Sequence, residues 1–370
     1  MRLALREGVR GTGRVAPNPL VGCVIVDRQH RFLSSGYHAQ LGGDHAEAAA
    51  LRNLGDASKV TGSHVYVTLE PCAHQGRTPS CAKTLAQLKP ESVTYAVEDP
   101  NPLVAGKGAE ILRAAGVTVY RLDERTDLSA EVRGELLDAA EDLAEVFLHN
   151  LRTAEPFVAV KVASTLDGQM AFKSGESKWI TGEAARLHAH SIRARYDAVV
   201  VGSNTVVIDN PSLDIRHPDF VGIENRVIVF DPQGRILPTL ARKNLLKVRA
   251  AEKIIIIVAQ GTKIENPCGA TVVEAAINSG QFDLKQVLAT VKNIGVTSLM
   301  VEGGAGTIGA FFTAGKVQRL HLYQAPVVFG GQHALAWSSA FGVTDLAGKF
   351  RFARWSWQRV GDDLYWTGLR

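Results

Sequence analysis

Apolar, β-branched runs of strand length alternate with helical stretches along this chain, and they do so twice, once on each side of Pro156. In the first half, Leu20–Asp27 (LVGCVIVD), Ser63–Leu69, Ser92–Val97 and Val117–Tyr120 read as strands. Ala46–Leu54, Cys81–Leu88 and Gly108–Ala115 read as helices between them. A long acidic helical pattern over 129–150 closes that half. In the second half, Phe157–Ala163, Ala198–Gly202, Arg226–Phe230, Ile254–Val258 and Ser298–Val301 are expected strands. Thr181–Tyr196 is an expected helix, with Thr181 as N-cap and Glu183 in the first turn. Phe282–Asn293 and Thr307–Ala314 are expected helices, and a β-rich aromatic tail starts at Arg319. Such alternation dictates an α/β layered sheet. With 370 residues, at roughly 150 per domain, two domains are expected, 1–150 and 151–370.

The net charge is +4, too small for wholesale nucleic-acid binding. It is unevenly spread. Residues 1–150 hold 16 Lys/Arg against 19 Asp/Glu, and residues 151–370 hold 25 against 18. The second half is therefore where a phosphate-bearing ligand is expected. No apolar run approaches the roughly 18–20 residues that span a bilayer, and MRLALREGVR has no apolar core to serve as a secretory signal. Four cysteines in so long a chain do not form a disulfide scaffold. A reducing, cytoplasmic location is expected, where thiolate metal ligands are at home.

His45-Ala46-Glu47, then Pro71-Cys72, then Cys81 is the most informative pattern. One imidazole and two thiolates suit tetrahedral zinc, and three protein ligands leave a fourth position for water. Zinc lowers the pKa of that water to roughly 7, so a hydroxide exists near neutral pH. Glu47 is expected not to ligate but to carry the proton from water to a leaving amine. The pattern resembles the zinc nucleobase-deaminase signature, H-x-E then P-C-x-x-C. Here eight residues, not two, separate the cysteines. A structural zinc site is the bland alternative. Cys23 is expected in the core and Cys268 in an incidental loop.

PNPLVGCVIVD from Pro17, GYHAQLGGDHAE from Gly36 and TLEPCAHQGRTPSC from Thr68 resemble the deaminase half of the bifunctional riboflavin-biosynthesis deaminase/reductase family. The long Cys–Cys spacing containing GRTP is itself characteristic of it. KVASTLDGQMA from Lys161, the stretch from Ser174 to Arg216, VEGGAGTIGAF from Val301 and YQAPVVFGG from Tyr323 resemble the reductase half. The resemblance spans nearly the whole chain. It implies a cytidine-deaminase-like three-layer α/β/α domain followed by a dihydrofolate-reductase-like α/β domain. It implies a phosphorylated pyrimidine substrate, one zinc and NADPH, and a first helix starting a few residues ahead of Met1. A homo-oligomer is expected, with no nucleic-acid or membrane partner.

The resemblance also carries residues. Asn18, His38, His74 and Arg77 would line the deaminase pocket. Asn18 reads alternatively as a turn residue between two prolines. Ala163, Trp179, Thr205 and Asp209 would contact NADPH, with the stretch Gly304, Ala305, Gly306, Thr307, Ile308, Gly309 and Ala310 on its phosphates. Ser177, Arg193, Leu213, Arg216 and Glu302 would hold the reductase substrate. Trp179 reads alternatively as a core aromatic, and Arg193 as a cation at a helix C-terminus. Gly304 to Gly309 spells G-x-G-x-x-G, whose glycines let backbone N–H groups approach phosphate. No Asp or Glu lies between Gly303 and Thr344 to bind a ribose 2′-hydroxyl, which fits a 2′-phosphate cofactor.

Two other function classes stay open at this point. A tRNA or nucleoside deaminase is disfavoured by the net acidic first half, since phosphate backbones demand basic stripes. A zinc-stabilised scaffold has no need of a non-ligand carboxylate such as Glu47 beside its metal.

Overall fold

A computed structural model describes residues 1–73, 80–101, 105–266 and 268–370. The chain divides into two compact units, Met1–Ala154 and Glu155–Arg370. The division falls just past 150 because the last helix of the first unit runs on to Arg152.

In the first unit, the elements run α1 (Arg2–Val9), β1 (Gly22–Val26), β2 (Phe32–Tyr37), α2 (Ala46–Leu54), β3 (His64–Leu69), α3 (Cys81–Leu88), β4 (Ser92–Val97), α4 (Lys107–Ala114), β5 (Thr118–Arg121) and α5 (Ala130–Arg152). The sheet order is β2-β1-β3-β4-β5. β1 is antiparallel to β2 and β3, while β3, β4 and β5 are parallel. Strand alternation splits the apolar residues between two faces. Cys23, Ile25, Val65, Val67 and Val93 pack against Ala46 and Ala50 of α2, Leu85 of α3 and Leu112 of α4. Ala96 on the other face meets Leu5 of α1 and Leu136 and Ala140 of α5. Three layers result, and Cys23 is fully buried in them. The strand over Phe32–Tyr37 is missing from the sequence reading, because FLSSGY carries no apolar run.

In the second unit the elements are β6 (Phe157–Thr165), β7 (Gln169–Phe172), α6 (Glu183–Arg193), β8 (Ala198–Gly202), α7 (Ser203–Ile208), β9 (Arg226–Phe230), α8 (Asn244–Lys247), β10 (Ile254–Ala259), β11 (Thr271–Ala275), the short pair β12 (Ile277–Asn278) and β13 (Gln281–Phe282), α9 (Leu284–Asn293), β14 (Ser298–Val301), α10 (Ala305–Thr313), β15 (Arg319–Ala325), β16 (Ala334–Ala336), β17 (Arg354–Val360) and β18 (Asp363–Leu369). Nine strands form one sheet in the order β11-β10-β9-β8-β14-β6-β15-β18-β17. All are parallel from β11 to β15, and β18 and β17 then run antiparallel. Apolar clusters cover both faces, one with Val287 and Leu288 of α9 and Phe311 of α10, the other with Leu237, Leu240 and Leu245. The late strand β14 inserts between β6 and β8. That makes a topological switch point, where a crevice opens beyond the strands' carboxyl ends.

The α6 expectation needs two corrections. The helix is Glu183–Arg193, and its N-cap is Gly182, not Thr181. Gly182 N–H donates to Asp363 Oδ2 at 2.7 Å, and the Thr181 carbonyl accepts from Arg186 Nη1 at 2.6 Å. Tertiary anchoring displaces the local cap. No helix among the described residues is long and apolar enough to cross a membrane.

Candidate zinc site and dinucleotide cleft

Two close approaches set the zinc end. Gly36 of β2 lies under α2, where an added Cβ would sit 2.2 Å from Ala50 N. That presses the start of α2 onto the sheet, with His45 as its N-cap and Glu47 in its first turn. Gly108 of α4 lies against the Pro71 carbonyl, 1.9 Å from where its Cβ would be. The Glu70 carboxylate accepts from Gly106, Gly108 and Ala109 N–H at 3.1, 3.1 and 3.2 Å, so it caps α4 and fixes the residues just before Cys72. Sequence reading missed Glu70. Cys81 opens α3 behind the cap Ser80, whose hydroxyl donates to the Cys72 carbonyl at 2.7 Å.

His45, Cys72 and Cys81 therefore converge, their donor atoms all within 4.8 Å of one another. His45 Nδ1 is 3.5 Å from each sulfur. Zinc bonds of about 2.0–2.1 Å to nitrogen and about 2.3 Å to sulfur, at tetrahedral angles, place those atoms about 3.6 Å apart. The donor set and its spacing fit zinc. The contact from Cys81, then His45, lowers Cys72, while the same contact and burial raise Cys81.

Glu47 is buried beside this trio without belonging to it. Burial, then the Cys72 sulfur, pushes its carboxyl up to about 7. A cavity of about 760 Å³ opens over it. Asn18 and His38 line one side, joined by an Asn18 Nδ2–His38 Nε2 contact of 3.2 Å. The Asp44 carbonyl lies 2.8 Å from His38 Nδ1, and burial lowers the His38 pKa. Asp99, Asn101, Phe147 and Leu151 also line the cavity, and sequence reading named none of them. His74 and Arg77 lie outside the described residues. Elemental analysis should find about one zinc per chain in the native protein and loss of it in Cys72→Ala. Full retention would place the metal elsewhere.

At the switch point of the second sheet, two cavities of about 410 and 470 Å³ share Asn204, Thr205 and Gly304 and form one cleft. The first holds Ala163, Ser177, Trp179, Thr205, Asp209, Glu302 and Gly304. The second holds Gly306, Thr307 and Ala310 beside Phe230, Phe282, Gln233 and Arg235. No acid among the described residues lines the second cavity. Arg235 donates to Ser203 Oγ at 2.7 Å and Asn204 Oδ1 at 3.0 Å.

The 304–310 stretch is not a loop. Gly304 is the N-cap of α10 and the helix starts at Ala305. Ile308 is fully buried in the core, and Ala305 is buried too. Gly309 is a packing glycine, since its Cβ would meet the Ala340 carbonyl at 2.7 Å. That leaves Gly304, Gly306, Thr307 and Ala310 to face the cleft. Arg235 Nε also lies 3.7 Å from Oδ1 of the buried Asp231, which does not line the cavity, and a helix N-terminus, this arginine and two phenylalanines fit an anionic dinucleotide.

Glu302 follows β14 at the inner end of the first cavity. Arg193 grips it, Nε to Oε1 at 2.7 Å and Nη2 to Oε2 at 3.0 Å, and Lys161 Nζ lies 3.9 Å from Oε2. Burial would raise the Glu302 carboxyl, but Arg193 and Lys161 hold it at about 2. Arg193 also donates to the Asp214 carbonyl. Burial, then Arg193 and Arg216, lowers His190 to about 4. Of the expected substrate residues, Ser177 and Glu302 line the cavity and Arg193 stands behind Glu302. Leu213 is buried, and the exposed Arg216 pairs with Asp214. Trp179 is 69% exposed and is no core residue. Lys161, a cavity residue, went unnamed as a site in the sequence reading.

Fold and site together define a zinc-dependent deaminase joined in one chain to a reductase. The cytidine and deoxycytidylate deaminase zinc-binding region matches residues 1–97, and the RibD C-terminal domain matches residues 156–364. The riboflavin biosynthesis protein RibD of Bacillus amyloliquefaciens is 37% identical, over all of this chain and 95% of that protein. RibD of Escherichia coli K12 is 32% identical, over 98% of this chain and 96% of that protein. Among solved structures, Acinetobacter baumannii RibD (form 1) superimposes with a TM-score of 0.79 at 34% identity, covering 100% of this chain and 97% of that one. The chain belongs to the RibD family, the bifunctional deaminase/reductases of riboflavin biosynthesis. Its first unit has the cytidine-deaminase-like fold and its second the RibD reductase fold.

Proposed function

We propose that the chain deaminates 2,5-diamino-6-(5-phosphoribosylamino)pyrimidin-4(3H)-one in its first unit. In its second unit it reduces the ribosyl group of the product, giving 5-amino-6-(5-phosphoribitylamino)uracil. The observation that carries the reading is Glu47, buried beside a three-donor zinc set at the floor of a large cavity. Zinc held there supplies the Lewis acidity that brings a water's proton loss near neutral pH. Glu47 takes the proton of the attacking water and hands it to the departing amine, so that ring C–NH₂ and water become C=O and ammonia. Asn18 and His38 orient the pyrimidine, and Phe147 and Leu151 give it an apolar wall.

NADPH supplies the hydride in the second unit. The residues facing the sugar hold it and manage the proton. Lys161, paired with Glu302, is placed to give one to the sugar oxygen as the ring opens. Arg235 and the start of α10 take the cofactor's phosphates. The protein works as a homo-oligomer in the cytoplasm on this small phosphorylated substrate. Purified protein given the diaminopyrimidine phosphate should release ammonia without NADPH, and should oxidise NADPH only once deamination has occurred. NADPH oxidation with no ammonia release would overturn the order of the two steps.

The cofactor end makes a sharper expectation. An added Cβ at Gly306 meets nothing within 4 Å in the protein, so the space belongs to the cleft. Gly306→Val should raise the NADPH Kd by blocking the approach of phosphate to the backbone. Arg235→Ala should weaken NADPH more than NADH, narrowing the preference for the phosphorylated cofactor. Fluorescence titration reads both. Unchanged NADPH affinity in Gly306→Val would remove α10 from the cofactor site.

A further inference from the structure

We propose that Arg186 is a positioning residue of the reductase, holding the Trp179 indole as a wall for the nicotinamide end of the dinucleotide. The proposal rests on the reading of that cavity as the NADPH site. Trp179 packs in none of the core clusters among the described residues and stands at the cavity rim, 69% exposed. A side chain this open has many rotamers, and ordering it on ligand binding weakens the binding. One contact removes that freedom in advance. The Arg186 guanidinium carbon lies 4.5 Å from the centroid of the indole ring.

Arg186 is itself held. Its Nη1 donates to the Thr181 carbonyl at 2.6 Å. It sits in the first turn of α6, whose N-cap Gly182 is tied at 2.7 Å to Asp363, a buried carboxylate at the start of β18. A continuous set of contacts therefore runs from the sheet through the helix start to Arg186 and the indole. No carboxylate pairs with Arg186 among the described residues, so stacking and the Thr181 bond account for its guanidinium. Both side chains line the same cavity as Lys161, Thr205 and Glu302, the cavity read above as the site of hydride transfer. A planar cation on one face of the ring leaves the rest of it open to a second ring.

The test is a double-mutant cycle on the full-length, zinc-loaded protein, read by NADPH Kd and by steady-state reduction of the deaminated substrate. Arg186→Ala should raise Kd and KM for NADPH about three- to tenfold with kcat within about twofold. Arg186→Lys should recover part of the loss, because an ammonium also sits over an indole. In a Trp179→Ala background, Arg186→Ala should add little, because both changes remove one wall. Unfolding by circular dichroism checks that each variant is folded. Full additivity in the cycle, or an unchanged Kd in Arg186→Ala, would overturn the proposal. If Trp179→Ala alone left NADPH affinity intact, the failure would lie with the cavity assignment at Trp179 instead.

Discussion

Glu47→Gln should leave zinc bound at about one per chain while deamination falls by about 10²–10⁴-fold, the usual size of a general acid–base contribution. The substitution keeps shape and volume at a site that is 4% exposed, so the first turn of α2 should not shift. It should keep the metal because the candidate donors, His45, Cys72 and Cys81, are untouched. It removes the proton transfer proposed for the buried carboxylate, since an amide cannot take a proton from water and return it to the amine. Reduction of substrate supplied already deaminated should survive, because the residues that line that cleft all lie beyond Glu155. Zinc loss in the variant would make Glu47 a fourth ligand and the site structural. Loss of both activities in a folded variant would sink the two-site model.

The convergence of the candidate zinc donors was legible in the sequence because each of them has a local signal. His45 begins a helix, Cys72 follows a strand, and Cys81 begins another helix; the bounds of α2 and α3 match the sequence reading. What the sequence could not give was how these starts are held together. Glu70 caps a helix 36 residues further on, and no spacing rule announces that. Phe147 and Leu151 read as ordinary apolar positions of a long helix, and only the fold turns them into a pocket wall. The glycine-rich stretch misled in detail for a related reason. G-x-G-x-x-G suggests a phosphate loop, but here the third glycine serves packing against Ala340. Short strands such as Phe32–Tyr37 escaped because their alternation rests on Ser and Gly rather than on apolar residues. In α6, the local N-cap signal of Thr181 lost to a long-range bond from Gly182 to Asp363.

Arg193 shows the same limit with the largest consequence for stability. Its sequence context, the end of a helix, suggests a dipole partner or a substrate anchor. In the fold it is 8% exposed and clamps Glu302 with two hydrogen bonds. Arg193→Ala should leave the largely buried Glu302 carboxylate with Lys161, 3.9 Å away, as its remaining ion-pair partner. Removing one partner of a buried ion pair costs about 3–5 kcal/mol, because the other charge stays desolvated and unpaired. Denaturant unfolding should show that loss in the second unit. The depressed Glu302 carboxyl adds stability above its unfolded pKa of about 4.3, and that contribution is lost as pH falls towards 2. The native protein should therefore keep this term at pH 5. In Arg193→Ala burial would lift the Glu302 pKa, so that the term shrinks and, once that pKa passes the unfolded value, becomes a destabilisation at neutral pH that is relieved as pH falls. The KM for the pyrimidine substrate should rise as well, since Glu302 faces the cavity and Arg193 fixes its carboxylate plane. Arg193→Lys should recover stability better than KM, because an ammonium supplies the charge but not the two-pronged geometry. Native stability and native KM in Arg193→Ala would show that Lys161 alone suffices, and would remove Arg193 from the site.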